Sequence, residues 1–163
     1  RWPVLIYLHG AGGRGSDLSD LGRMEGTPPA LATARSPSTG SFIVVCPQTE
    51  SSSWDTRLLR SQLIGLRDEI TARSSSLGAD ASRVYLCGAS MGGDGVWEIG
   101  GSYPEAFAAL VPVCAASRPA VVPQLSAMPV FIFHGATDHV VPASRSHSNA
   151  LCLCALFDLP CRS

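Results

Sequence analysis

The chain has 163 residues, 45% of them apolar and 15% charged, with a formal net charge of −1. That is enough for one globular domain, which buries roughly two-thirds of its unfolded surface. The composition excludes a disordered chain, the charge excludes a basic nucleic-acid surface, and no apolar run is long enough to span a membrane.

Five apolar runs rich in β-branched residues punctuate the sequence. The first is "VLIYLH" (4–9); since "PVLIYLHG" follows Arg1 almost at once, the chain opens inside a domain, and any leader would lie ahead of residue 1. The stretch 10–41 is rich in Gly, Ser, Thr and Pro and reads as loop with short helical turns. "FIVVC" (42–46) is the second run. A helix follows, with Leu59, Leu63, Leu66 and Ile70 at helical spacing and Gly78 ending the segment. "RVYLCG" (83–88) is the third run, and "MGGDGVWEIGGSYPE" after it reads as a short helix stopped near Pro104. "FAALVPV" (107–113) and "PVFIFH" (129–134) complete the set, and "PASRSHSNALCL" reads as a further helix. Continuous rather than alternating apolar runs suit strands covered on both faces, so the expectation is an α/β fold. It is a mostly parallel sheet with helices on both faces, three layers αβα, and ligands at the carboxyl ends of the strands.

The six cysteines show no metal-ligand spacing. Cys46, Cys87 and Cys114 sit at or just beyond the ends of apolar runs, as small core residues do. Cys152, Cys154 and Cys161 crowd the tail. The redox compartment stays open, with a cytoplasmic setting slightly favoured.

Three strand ends carry chemistry. Gly88-Ala89-Ser90-Met91-Gly92 fits G-x-S-x-G between a strand and a helix. The glycines are needed because so sharp a turn would make side chains two residues either side of the serine collide. Ser90 is therefore the candidate nucleophile. "LHGAGGRGSD" after the first strand is the second site. Its loop can aim the Ala11 N–H at the point where an acyl carbonyl develops negative charge, beside the N–H of Met91. Gly10, Gly12 and Gly15 also spell the dinucleotide pattern G-x-G-x-x-G, but Gly22, Gly26 and Pro28 break the long helix that pattern opens, and no acidic residue ends the second run. Asp138, in "IFHGATDHVVP", is the third site; an acid downstream of the serine fits the order Ser…Asp…His. His9, Gly10 and Trp54 are candidate substrate-pocket residues.

These segments together resemble the α/β-hydrolase fold, and more narrowly its esterase branch of phospholipase/carboxylesterase-like, dienelactone-hydrolase-like and "predicted peptidase" proteins. The resemblance runs through "PVLIYLHGAGGRGSDL", "FIVVCPQ", "RVYLCGASMGGDGVWE", "YPEAFAALVPVC" and "PVFIFHGATDHVVP", to about residue 151. It implies a serine hydrolase of carboxylic esters working through an acyl-serine intermediate. Ser90 would be the nucleophile, Asp138 the orienting acid, and Ala11 and Met91 the oxyanion donors, with a small-molecule ester as substrate and neither metal nor organic cofactor. The family order would place the runs as second, first, third, fourth, fifth.

Two departures accompany the resemblance. The family's strands ahead of the first run are absent, and so is its catalytic histidine, which follows another helix and strand, often in a Gly-His context. The chain thus reads as a partial hydrolase domain, 1–151, truncated before that histidine and followed by a divergent tail, 152–163. Of the four histidines, His9 and His134 precede glycines at strand ends and read as structural. His139 adjoins Asp138, and His147 lies on the last helix; none is well placed as a base. Other classes stay open: a non-catalytic hydrolase-like binding domain, a serine peptidase, or a dinucleotide-binding domain.

Overall fold

Residues 1–23, 27–28, 42–116, 119–125 and 127–157 are described by a computed structural model. Four strands, β1 (Trp2–Leu8), β2 (Ile43–Val45), β3 (Ala79–Ala89) and β4 (Ala109–Val113), form one sheet in the order β2-β1-β3-β4, every pair parallel. This is the order expected for the first four runs, and the layering is that of an αβα fold.

The fifth run joins differently. Residues 129–134 lie parallel beside β4 but meet it only through two isolated bridges, Leu110 with Val130 and Val113 with Phe133. Pro112 is the reason. The Leu110 N–H reaches Pro129 O and the Cys114 N–H reaches Phe133 O, but Pro112, between them, has no N–H to give. The ladder is interrupted at its middle, and a continuous fifth strand does not form. Phe131 and Phe133 stand exposed on it.

Register sorts the side chains into two faces. Val4, Ile6 and Leu8 share one with Val84, Leu86 and Leu110, all at most 2% exposed. Two helices cover this face, α1 (Arg57–Ala72) and α2 (Met91–Ser102). The Thr56 hydroxyl caps α1 by accepting the Leu59 N–H, Leu63 and Ile70 point into the core, and Gly78, at φ 66°, closes the segment after a further turn. From α2 come Val96, Trp97 and Ile99, all fully buried. Each such side chain contributes roughly 1.5–3 kcal/mol. The opposite face carries Leu5, Tyr85 and Val111, only half-buried, together with Tyr7, Cys46 and Cys87. Burial pushes the Tyr7 hydroxyl up to about 12 and the thiols of Cys46 and Cys87 up to about 11, so these act as neutral packing groups.

The last helix, α3 (Ser144–Phe157), runs unbroken across residues 151 and 152, where the likeness to the esterases is expected to end. Cys152 and Leu153 pack against the core, so the start of the tail continues this helix. Residues 158–163 lie outside the described residues, as do 24–26 and 29–41 of the glycine-rich stretch. That stretch shows two short turns, Ala11–Gly13 and Ser19–Gly22. No helix among the described residues is long and apolar enough to cross a membrane.

Buried polar contacts pin the loops at the carboxyl edge of the sheet. His9 is fully buried: its Nδ1–H donates to Gly10 O at 2.8 Å, and its Nε2 accepts the Thr49 N–H at 3.1 Å. The indole N–H of buried Trp54 donates to His9 O, and Gln48 Nε2 donates to Gly13 O. The loop after β1 is thereby tied to the loop after β2.

Burial lowers the His9 pKa from its ordinary value, and the Thr49 N–H leaves no room for a proton on Nε2. The folded state therefore keeps His9 neutral, while the unfolded chain protonates it below about pH 6.5. Stability from this group is complete above that pH and is lost as the pH falls through the ordinary value toward the folded one. Urea denaturation of the parent and His9→Gln should show the variant less stable by about 1–3 kcal/mol at pH 8, with the gap narrowing below about pH 6.5.

Candidate active site

Ser90 sits where β3 passes into α2, at φ 54° and ψ −119°. Such a conformation costs a non-glycine residue about 1–3 kcal/mol and persists only where surrounding contacts impose it. Here the two flanking glycines impose it. A Cβ on Gly88 would stand 2.5 Å from Gly92 O, and one on Gly92 would penetrate Leu8 O. The helix therefore starts directly against the end of β1. The Ser90 N–H donates to Val113 O at 2.9 Å, and its carbonyl accepts the Asp94 N–H to begin α2. Every polar backbone group of Ser90 is thus committed, and the hydroxyl is carried on a fixed frame.

The loop after β1 lies against this turn. A Cβ on Gly10 would come within 3.1 Å of Ala89 O and 3.6 Å of Ser90 Cβ. Ala11 begins the 3₁₀ turn that follows, and Met91 begins α2. First-turn N–H groups have no acceptor inside their own helix. The fold thus brings Gly10 against Ala89 and Ser90.

Asp138 lies in the loop beyond residues 129–134, which run parallel two strand positions from β3. Its Oδ1 accepts the N–H groups of Val140 (2.8 Å) and Val141 (2.9 Å). The bonds from Val141 and Val140 hold its pKa below the usual carboxylate value. It stays ionised through neutral pH.

Two candidate pocket residues are placed elsewhere. The His9 ring is consumed in pinning two loops and presents nothing to a substrate. Trp54 packs under α2, so that a Cβ on Gly95 would stand 2.5 Å from its Cβ, and it lines a cavity of about 160 Å³ with Pro47, Gln48, Leu59, Leu63 and Leu66. Ser90, Gly10 and Asp138 do not line that cavity. The reason is steric: without a side chain at Gly95, the indole slides beneath the helix instead of standing at the strand end.

Among the described residues, no histidine is hydrogen-bonded to Ser90. His139 and His147 are exposed. His134 is nearly buried, with Nδ1 2.7 Å from Ser146 Oγ and Nε2 2.7 Å from Val141 O. Sequence reasoning anticipates its structural use, but not Ser146. It also misses Asp94, whose Oδ1 accepts the Ala116 N–H at 2.7 Å and fixes the loop after β4. An acidic residue in the first turn after a G-x-S-x-G serine is the available signal.

No protein-family model and no curated protein matches the sequence. Solved structures do. The chain superposes on a thermostable esterase with a TM-score of 0.75 at 29% identity, over 96% of this chain and 44% of that one. A carboxylesterase from Lactobacillus plantarum gives 0.69 at 21% identity, covering 97% and 68% of the two chains. A phospholipase/carboxylesterase from Dyadobacter fermentans gives 0.60 at 18%, covering 94% and 76%. The chain thus spans less than half the length of the thermostable esterase. The sheet order and these likenesses show that the chain has an α/β-hydrolase fold similar to that of esterases.

Proposed function

We propose that this chain forms the nucleophile-bearing core of a serine hydrolase acting on carboxylic esters of small molecules, with Ser90 as nucleophile. The observation that carries the reading is the strained Ser90 turn between Gly88 and Gly92. Such a conformation is maintained where it exposes a reactive group, and its solved esterase neighbours favour ester chemistry over other acyl transfers.

In this reading Ser90 Oγ attacks the ester carbonyl carbon, its proton passing to a base. The carbonyl oxygen takes up the electron pair and is met by the N–H groups of Ala11 and Met91. Collapse expels the alcohol, which recovers a proton, and water then releases the acid from acyl-Ser90. Asp138 serves as the acid that orients the base. Two backbone donors aimed at a developing oxyanion are each worth about 10²–10³ in turnover.

A second reading is favoured by one observation: the four histidines are either engaged elsewhere or exposed, and none is bonded to Ser90. In that reading the chain is a hydrolase-like binding domain. A missing triad histidine costs about 10⁶ in turnover in a serine hydrolase, while roughly 10³–10⁴ over water survives from oxyanion stabilisation and binding. The two readings therefore differ in the behaviour of Ser90 itself.

A fluorophosphonate probe should label the folded chain at Ser90 and leave Ser90→Ala untouched; an unlabelled parent decides for the binding domain. With p-nitrophenyl acetate, turnover should exceed that of Ser90→Ala while staying orders of magnitude below a complete triad. Gly92→Ala should abolish labelling and destabilise the chain by about 2–3 kcal/mol in urea, because its methyl group collides with Leu8 O.

A further inference from the structure

Beside the Ser90 turn lies a second set of polar side chains in the order Ser, His, Asp. Ser146 Oγ is 2.7 Å from His134 Nδ1, and on the far side of the ring Nε2 is 2.7 Å from Val141 O and 3.5 Å from Asp138 Oδ2. The order resembles that of a catalytic relay, but the burial does not. Ser146 is 4% exposed and the His134 side chain 6%, and a long 3.5 Å contact to Ala115 O closes the other side of the hydroxyl. No substrate carbonyl reaches Ser146, so this group is a strut.

The strut joins segments that are separate in the chain. His134 ends residues 129–134, Val141 and Asp138 belong to the loop that follows, and Ser146 lies in the first turn of α3. Ala115 belongs to the loop after β4, and that loop is bonded on every side. Val113 O accepts the Ser90 N–H, the Cys114 N–H reaches Phe133 O, and the Ala116 N–H reaches Asp94 in α2. Cys114 is held at φ 42°, a positive angle rare outside glycine. The bonded path from Ser90 to Asp138 therefore runs through Val113, Cys114 and Phe133 O to His134, with Ser146 touching Ala115 only by the long contact.

We propose that His134 and Ser146 are positioning residues that hold the Asp138 loop and couple it to the turn carrying Ser90. The inference rests on Ser90 and Asp138 sharing one site, as proposed above. Chemistry also fixes the proton. Val141 O only accepts, so Nε2 carries the hydrogen, and Nδ1 takes the Ser146 hydroxyl hydrogen through its lone pair. With the ring so oriented, Val141 is drawn to His134 while its own N–H and that of Val140 point at Asp138 Oδ1. Removing the strut frees those two donors.

The test uses nuclear magnetic resonance and needs no turnover. In the parent at pH 8, ¹⁵N shifts of His134 should show the hydrogen on Nε2; a hydrogen on Nδ1 overturns the proposal outright. In Ser146→Ala, the carboxyl ¹³C titration of Asp138 should move upward, toward that of an ordinary carboxylate. The amides of Val140 and Val141 should exchange about tenfold faster. Ser146→Thr, which keeps the hydroxyl, should restore both. A folded Ser146→Ala with unchanged titration and exchange also overturns it, and should that variant not fold, the parent tautomer decides. Neither readout depends on Ser90. Failure of probe labelling would therefore strike the proposed reaction and not this network, and the reverse holds equally.

Discussion

Everything at the carboxyl edge depends on how closely α2 approaches β1. At Gly92 the helix backbone rests on Leu8 O with no space for a Cβ, at Gly93 a Cβ would stand 2.7 Å from Val113 O, and at Gly100 it would run into Leu110. Helix propensity argues against such a segment, since glycine costs about 1 kcal/mol relative to alanine at each position and "MGGDGVWEIGGS" carries five. Burial of Val96, Trp97 and Ile99 offsets that cost. Once the helix is so close, β3 has no length left for a gradual turn. Ser90 takes the positive φ, and the first-turn N–H groups of α2 open beside its hydroxyl. The strain at Ser90 is a consequence of this packing.

The same closeness determines what the neighbouring loops do. Because Gly95 admits the Trp54 indole under α2, the tryptophan becomes a core residue, and its N–H is spent on His9 O. His9 in turn spends both ring nitrogens on backbone. His9 and Trp54 are thus fasteners rather than pocket walls, and the loop they fasten is the one that sets Gly10 against Ser90. Rigidity here is carried by buried neutral groups rather than by ion pairs, and that is why acidification acts on it through His9.

Much of this is legible in the residues alone. Continuous apolar runs separated by one long amphipathic segment and one glycine-rich segment point to a parallel sheet, and the order of its strands is what the esterase resemblance implies. Ser90, Gly88 and Gly92 are legible because their spacing encodes a steric necessity within five residues. The fifth run reads as a strand and is not a continuous one: its own residues favour a strand, but Pro112, in the neighbouring strand, removes the bond that would continue the ladder. The last helix runs on past the boundary expected at residue 151 because "CLCALF" keeps helical spacing. The His134–Ser146 pair is illegible for a different reason. Its partners lie 12 residues apart, on different elements, and nothing in either residue's neighbours marks the pairing.

A division of labour runs through the site. In the proposed reaction an oxyanion would be met by backbone N–H groups at the turns where Gly10, Gly88 and Gly92 leave no space for a Cβ. The acid is held by backbone as well, through the amides of Val140 and Val141. The nucleophile and the base of such chemistry have to be side chains, and the base is the one that packing at the Ser90 turn does not supply. Backbone-borne parts stay in place for as long as the sheet and α2 pack, because they are the packing. A fold built this way keeps the Ser90 turn whether or not a base is present, so the geometry at Ser90 and the capacity for turnover are physically separable properties.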